Sequence, residues 1–155
     1  MTAEAGTAAG SIYLYFASKD AVIRAAIEAS VDRIGALIEA IPADGAASDA
    51  PRRYRRAVLT TVAAAERTPD GVNLFALAVQ GWSHAQTDAA TQAAIAERYG
   101  SILAHWASVA QGWGLSPARA EAYAAALGAV VLGYVVERAL LAEPEVEVVL
   151  SALDE

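Results

Sequence analysis

Six large side chains do most to limit what this chain can fold into. Ile95, Tyr99, Ile102, Trp106, Val109 and Trp113 step by 4, 3, 4, 3 and 4. That spacing is the seam of an α-helix packed nearly parallel or antiparallel to another, so 87–113 is predicted to be one long helix, ended by Gly114. The helical period runs through nearly all the chain. From Ser18, the residues Ile23, Ile27, Val31, Ile34, Ile38 and Ile41 step by 4, 4, 3, 4 and 3, one face of a helix that continues until Pro42. Residues 43–50 (ADGAASDA) read as a small, polar loop, and Pro51 suits the first turn of a helix over about 52–66. Thr68-Pro69-Asp70-Gly71 is a turn, followed by a helix over about 72–85.

Ser116-Pro117 opens a final long helix whose stretch from Ala122 to Val136 carries no charge. At 15 residues that stretch is shorter than the roughly 20 needed to cross a bilayer, so a buried helix is expected. A helix apolar all round must be covered on every side. Pairing with the same helix of a second subunit is the simplest cover, with Gly128 and Gly133 permitting close approach. Glu145 and Glu147 fall in an exposed C-terminal tail.

Composition supports one globular unit. Of 155 residues, 56% are hydrophobic and 19% charged, enough apolar mass for a core. The absence of cysteine removes disulfides, thiolate metal sites and cysteine nucleophiles. No segment resembles a signal peptide, so a cytoplasmic protein with no membrane partner is expected. The formal charge of -7 disfavours a chain that is mainly a nucleic-acid-binding surface, but an acidic body with a small DNA-reading head is compatible with it.

Such a head is suggested by residues 5–20, AGTAAGSIYLYFASKD. Gly6 suits the end of one helix and Thr7 the N-cap of the next. Ile12 and Phe16, four apart with Ala8 and Ala9 one turn earlier, form a single apolar stripe. Ser18 can cap the following helix, and Ser11, Tyr13, Tyr15 and Lys19 can all donate to a phosphate backbone.

Gly6, Gly10, Ser11, Ile12, Tyr13, Tyr15, Phe16, Ser18 and Lys19 resemble, in order and spacing, the TetR family of bacterial transcriptional repressors. The resemblance implies an all-α homodimer with an N-terminal helix-turn-helix and a larger helical body that binds an inducer. It also implies that Gly10 allows close approach to DNA, that Ser11, Tyr13, Tyr15 and Lys19 contact phosphates, and that Leu14 faces bases. Ile12 and Phe16 would hold the core of the head. Ala8, Ala9 and Leu14 depart from the polar or basic residues frequent in the family, which weakens hydrogen-bonded readout. The helix-turn-helix is expected to be partial: its first helix and most of its second would precede Met1, and the chain taken literally is expected to bind DNA weakly or not at all.

The expected organisation is a helix-turn-helix remnant over 1–20 and a ligand-binding and dimerisation domain over 21–155. Within that body, Asn73, Phe75, Gln80, Trp82, His84, Tyr99, His105 and Trp106 are candidates to line an apolar pocket with a few polar groups. Aromatics at helical spacing also serve simply as core. The basic run PRRYRR at 51–56 could touch phosphates, yet in a helical body more often forms a solvated or salt-bridged face. His84 and His105 have no ligand partners at metal spacing, and neither a cofactor nor an enzymatic motif is expected. The resulting expectation is a TetR-like regulator that binds operator DNA as a homodimer and is released by a small molecule. The alternative is a dimeric ligand-binding or protein-interaction module without DNA binding.

Overall fold

A computed structural model describes residues 18–43 and 49–154, and those residues form six α-helices. The first, α1 (Lys19–Glu39), begins where Ser18 Oγ accepts the Ala21 N–H at 3.1 Å and places Asp20 in the first turn, where the exposed N–H groups favour an anion. Helix α2 (Ala50–Ala64) starts two residues before the sequence predicts, because Pro51 occupies the first turn and Ala50 is already buried. It turns Tyr54, Val58, Leu59 and Val62 into the core.

The connection to α3 (Leu74–Ala85) is tighter than a simple turn. The Gly71 N–H donates to Thr68 O and the Thr68 N–H to Val72 O, both at 2.9 Å, and Gly71 takes φ +88°, a conformation glycine adopts without strain. Val72 is consumed in closing this turn, so α3 starts later than predicted, with Asn73 Oδ1 accepting the Ala76 N–H at 2.9 Å. Helix α4 (Ala89–Gly112) is capped by Asp88, which accepts the Thr91 N–H at 2.8 Å. It stops at Trp113 and Gly114, the latter at φ +89°. Helix α5 (Pro117–Leu141) packs most extensively on α4, and α3 lies across both.

One expectation is corrected here. The segment around Glu145 and Glu147 is not a tail: Val146–Asp154 is a helix, α6, whose Val146 and Leu150 are buried against α2. Its apolar stripe of Val146, Val149, Leu150 and Leu153 is short, but it has the helical period. Helix α5, expected to need cover from outside its own chain, is covered on one side only. Its buried residues Ala120, Ala124, Leu127, Gly128, Val131, Tyr134 and Val135 form one stripe, while Ala122, Ala125, Ala126, Ala129 and Gly133 are exposed. By length and composition α5 is apolar enough to cross a membrane, yet only 33% of that apolar window is buried. Exposure is tolerable because the outward residues are methyl groups and hydrogen, which offer little apolar area per residue.

The two glycines named for close approach therefore part company. A Cβ on Gly128 would lie 3.0 Å from Leu103 Cδ2, so this glycine lets α5 close onto α4 of the same chain, whereas Gly133 faces open space.

The basic run is a salt-bridged face. Arg52 and Arg53 pair with Asp49 at 2.9 and 3.7 Å, and Arg55 and Arg56 pair with Asp154 at 2.8 and 3.1 Å. Arg55 Nη2 also donates to Leu153 O at 2.7 Å, so these arginines fasten α6 to α2.

Candidate functional site

Four helices and one residue of a fifth enclose a cavity of about 90 Å³. Helix α1 supplies Ile27, Val31, Ile34 and Ile38, four of the six residues of its apolar stripe. Facing them are Phe75, Ala78 and Trp82 of α3, and Ile95, Tyr99, Ile102 and Trp106 of α4, the first four residues of the long seam. Val131, Leu132 and Val135 of α5 close the far side, and Val62 of α2 one end. The seam steps by 3 and 4 so that its residues share one face. Here that face meets three helices that diverge, and the side chains do not fill the space between them.

An open groove of about 460 Å³ lies outside this cavity, and Trp82, Ile95, Tyr99 and Leu132 belong to both walls. Gln86 and Gln92 stand along the groove. The cavity and the groove are thus neighbours that share four side chains.

Polar groups on the cavity wall are few. The Tyr99 hydroxyl donates to Gly128 O at 3.2 Å, and burial pushes its pKa up to about 12, so the phenol is neutral. Trp106 is 1% exposed, and its indole Nε1 is buried with no hydrogen-bond partner. A Cβ on Gly128 would lie 3.7 Å from Trp106 Cζ3, so the six-membered ring abuts α5 and the nitrogen-bearing edge is turned away from that contact.

Of the eight pocket candidates read from the sequence, the structure brings Phe75, Trp82, Tyr99 and Trp106 together around this cavity. The four polar ones stand elsewhere. Asn73 caps α3, and Gln80 is exposed. His105 Nε2 lies 3.2 Å from the Tyr54 hydroxyl, beside a cluster in which Trp113 meets Tyr54 and Tyr123 edge-on at 5.5 Å each. His84 is half-buried with Nε2 at 4.0 Å from Asp88 Oδ2.

Asp88 ties α1 to α4. Its carboxylate accepts from the Thr91 hydroxyl and N–H, and from Arg24 Nη2 at 3.1 Å. The Thr91 hydrogen bonds, with Arg24 adding attraction, hold the Asp88 carboxyl below the usual carboxylate range. Arg24 stands one turn before Ile27, so this clamp fixes α1 directly beside the first cavity residue.

What the sequence alone does not single out is the contribution of α1 and α5. The stripe from Ile23 to Ile41 identifies a buried face but not its neighbour, and Val131, Leu132 and Val135 lie in a run with no polar residue to mark one side. The DNA-contact candidates Gly10, Ser11, Tyr13, Leu14 and Tyr15 lie outside the described residues, as does the side chain of Lys19, the first residue of α1.

Residues 2–26 match the sequence model of the family described as bacterial regulatory proteins, tetR family. No curated protein and no solved structure matches the chain. The matched segment ends at Ala26, and the next residue, Ile27, is the first to line the cavity.

Proposed function

Because residues 2–26 identify the chain as a member of the tetR family of bacterial regulatory proteins, we propose that it is a cytoplasmic homodimeric repressor released from operator DNA by a small molecule held in the α1/α3/α4/α5 cavity. One observation carries this reading: α1 is continuous from the family-matched segment into the cavity wall, through Ile27, Val31, Ile34 and Ile38. A ligand that enlarges the cavity must push against α1. That helix is a 21-residue rigid rod, so a small displacement at Ile34 reaches its N-terminal end.

In this reading Ser11, Tyr13, Tyr15 and Lys19 hold phosphates, Gly10 admits the backbone, and Leu14 meets base edges through apolar contact. The outward face of α5, with Ala122, Ala125, Ala129 and Gly133, packs on a second copy, where small side chains let two helices approach closely. Gly100, Ala104 and Ser108 on the exposed side of α4 extend the same small-residue surface. Two copies would form a four-helix interface from α4 and α5. Dimer geometry then sets the separation of the two reading helices, and tilting α1 takes them out of step with successive half-sites.

The test is selection of bound duplexes from a random-sequence DNA pool by the purified protein. Weak enrichment of a two-fold symmetric motif is expected, in keeping with the poor hydrogen-bonded readout offered by Ala8, Ala9 and Leu14. Failure to enrich any motif would contradict the DNA-binding part of the reading and leave a dimeric ligand-binding or interaction module in its place.

A further inference from the structure

We infer that His84 is a proton-operated release for α1: its imidazolium takes Asp88 from Arg24 and unfastens the N-terminal end of α1 from α4. The Asp88 Oδ2 oxygen is already crowded. It accepts the Thr91 N–H at 2.8 Å, the Thr91 hydroxyl at 2.5 Å and Arg24 Nη2 at 3.1 Å, whereas a carboxylate oxygen offers about two lone pairs. His84 Nε2 stands 4.0 Å from the same oxygen, buried and without a hydrogen-bond partner among the described residues. Once protonated, it carries an N–H and a positive charge, which the last turn of α3 favours, and about 1 Å of approach makes a hydrogen bond to Asp88. One of the three present donors must then give way. The two from Thr91 are fixed by the N-cap of α4. Arg24 makes the longest bond and its side chain is 33% exposed, so it can turn to water and escape the like charge.

The surroundings leave Asp88 and Arg24 to decide this competition. His84 is the one titratable residue of α3, which packs on α1, α4 and α5. Helix α5 meets this end of α3 through uncharged Leu132 and Val136, which share a groove with Ala85 and Gln86. Glu28 and Arg98 lie further along the α1–α4 line, in the cleft bordered by Arg24 and Thr91, and Arg98 is paired with Asp32 at 2.9 Å. Hydrogen bonds from Thr91, with a smaller contribution from Arg24, hold the Asp88 carboxyl below the usual carboxylate range, so it stays an anion in the window where an imidazole titrates. Arg24 falls within the family-matched segment, so its release acts on the part of α1 that the segment includes.

The experiment uses the intact protein with no DNA or small molecule added. Imidazole nitrogen shifts follow protonation of the two histidines, assigned with H105Q, between about pH 8 and 5, where imidazole changes charge. In the same samples, amide hydrogen exchange is read over 19–26 of α1, with His84→Gln and His84→Asn as references that cancel the intrinsic pH dependence of exchange. Protection in the wild type is expected to fall about threefold relative to both references as His84 protonates, the scale of one partly exposed ion pair. Arg24→Gln should show the reduced protection throughout, with no further change as His84 titrates. Unchanged protection while His84 titrates overturns the inference, and so does a rise, which would make the imidazolium an added tie. An equal response in H84Q and H84N assigns the effect to another group and overturns it too, as does a His84 that stays neutral down to about pH 5. None of these outcomes bears on operator binding, which duplex selection tests separately.

Discussion

Gly81 of α3 and Ile27 of α1 meet so closely that a methyl group between them would require Ile27 to shift by a few tenths of an ångström: a Cβ on Gly81 would lie 3.0 to 3.1 Å from three atoms of the Ile27 side chain. The glycine lets α1 settle against α3 and brings Ile27 into the cavity wall. This contact and the Arg24–Asp88 ion pair, one turn away on α1, fix where the helix from the family-matched segment rests on the body.

Gly81→Ala should therefore destabilise the protein despite its better helix propensity. Alanine gains up to about 1 kcal/mol in a helix interior, but the branched Ile27 side chain must move as a unit, and overpacking of this kind costs about 1–3 kcal/mol. A net loss of about 1 kcal/mol is expected in equilibrium denaturant unfolding. A gain in stability would show that α1 is not held at this point.

Filling the cavity should separate stability from binding. Ala78 lies on the cavity wall, and Ala78→Leu places extra methyl groups in empty apolar space of about 90 Å³. Unfolding is expected to be unchanged or up to about 1 kcal/mol harder, since the new atoms find contacts without displacing others. Binding of benzene, a probe small and apolar enough for such a cavity, should be lost when followed by calorimetry. Retained binding would move the ligand to the outer groove.

The exposed stripe of α5 gives a third expectation. Gly133 has open space where its Cβ would be, so Gly133→Leu leaves each subunit folded, with unchanged helicity by circular dichroism. Sedimentation velocity should show the wild type as a dimer and this variant as a monomer. A variant that remains dimeric would place the interface away from this stripe.

Alkaline pH should destabilise the fold late. Burial raises Tyr54, Tyr99 and Tyr123 from the ordinary value of 10 to about 12. A folded-state value above the unfolded one means that the favourable contribution is fully present below pH 10 and is lost as pH climbs through the folded value. The melting temperature should be flat approaching 10 and fall towards about 12, with tyrosinate absorbance rising in the same window. Tyr54→Phe should remove one part of that late rise.

The helices were legible in the sequence because the apolar period survives wherever a face is buried, from Ile23 to Ile41 and from Ile95 to Trp113. Starts shifted by one or two residues where a neighbour was already engaged, since Val72 closes a turn, Asn73 and Asp88 cap, and Ala50 is buried. Helix α6 was not legible, since Glu145 and Glu147 suggested solvent, and its support comes from Arg55 and Arg56, nearly a hundred residues away in the chain. At the site, large aromatics at helical spacing pointed to Phe75, Trp82, Tyr99 and Trp106. Period alone cannot say which helix a face meets, so α1's share of the cavity was invisible. Nor could it tell that Asn73 is spent on a cap and His105 on Tyr54, because those partners are set by tertiary packing.

Occupying the cavity should move α1 relative to α5, and a distance measured between spin labels on the two helices reads that movement. The chain contains no cysteine, so Arg33→Cys on the exposed side of α1 and Glu137→Cys, exposed on α5 beyond its small-residue stripe, provide two unique label sites, read in dimers diluted with unlabelled chain. With benzene at a concentration that calorimetry shows to be saturating, the mean distance should change by about 1–2 Å or more, the scale of helix shifts in switching proteins. In A78L, which should not bind the probe, it should not change. Superimposable distance distributions in the empty and saturated wild type would contradict a switch that works by moving α1.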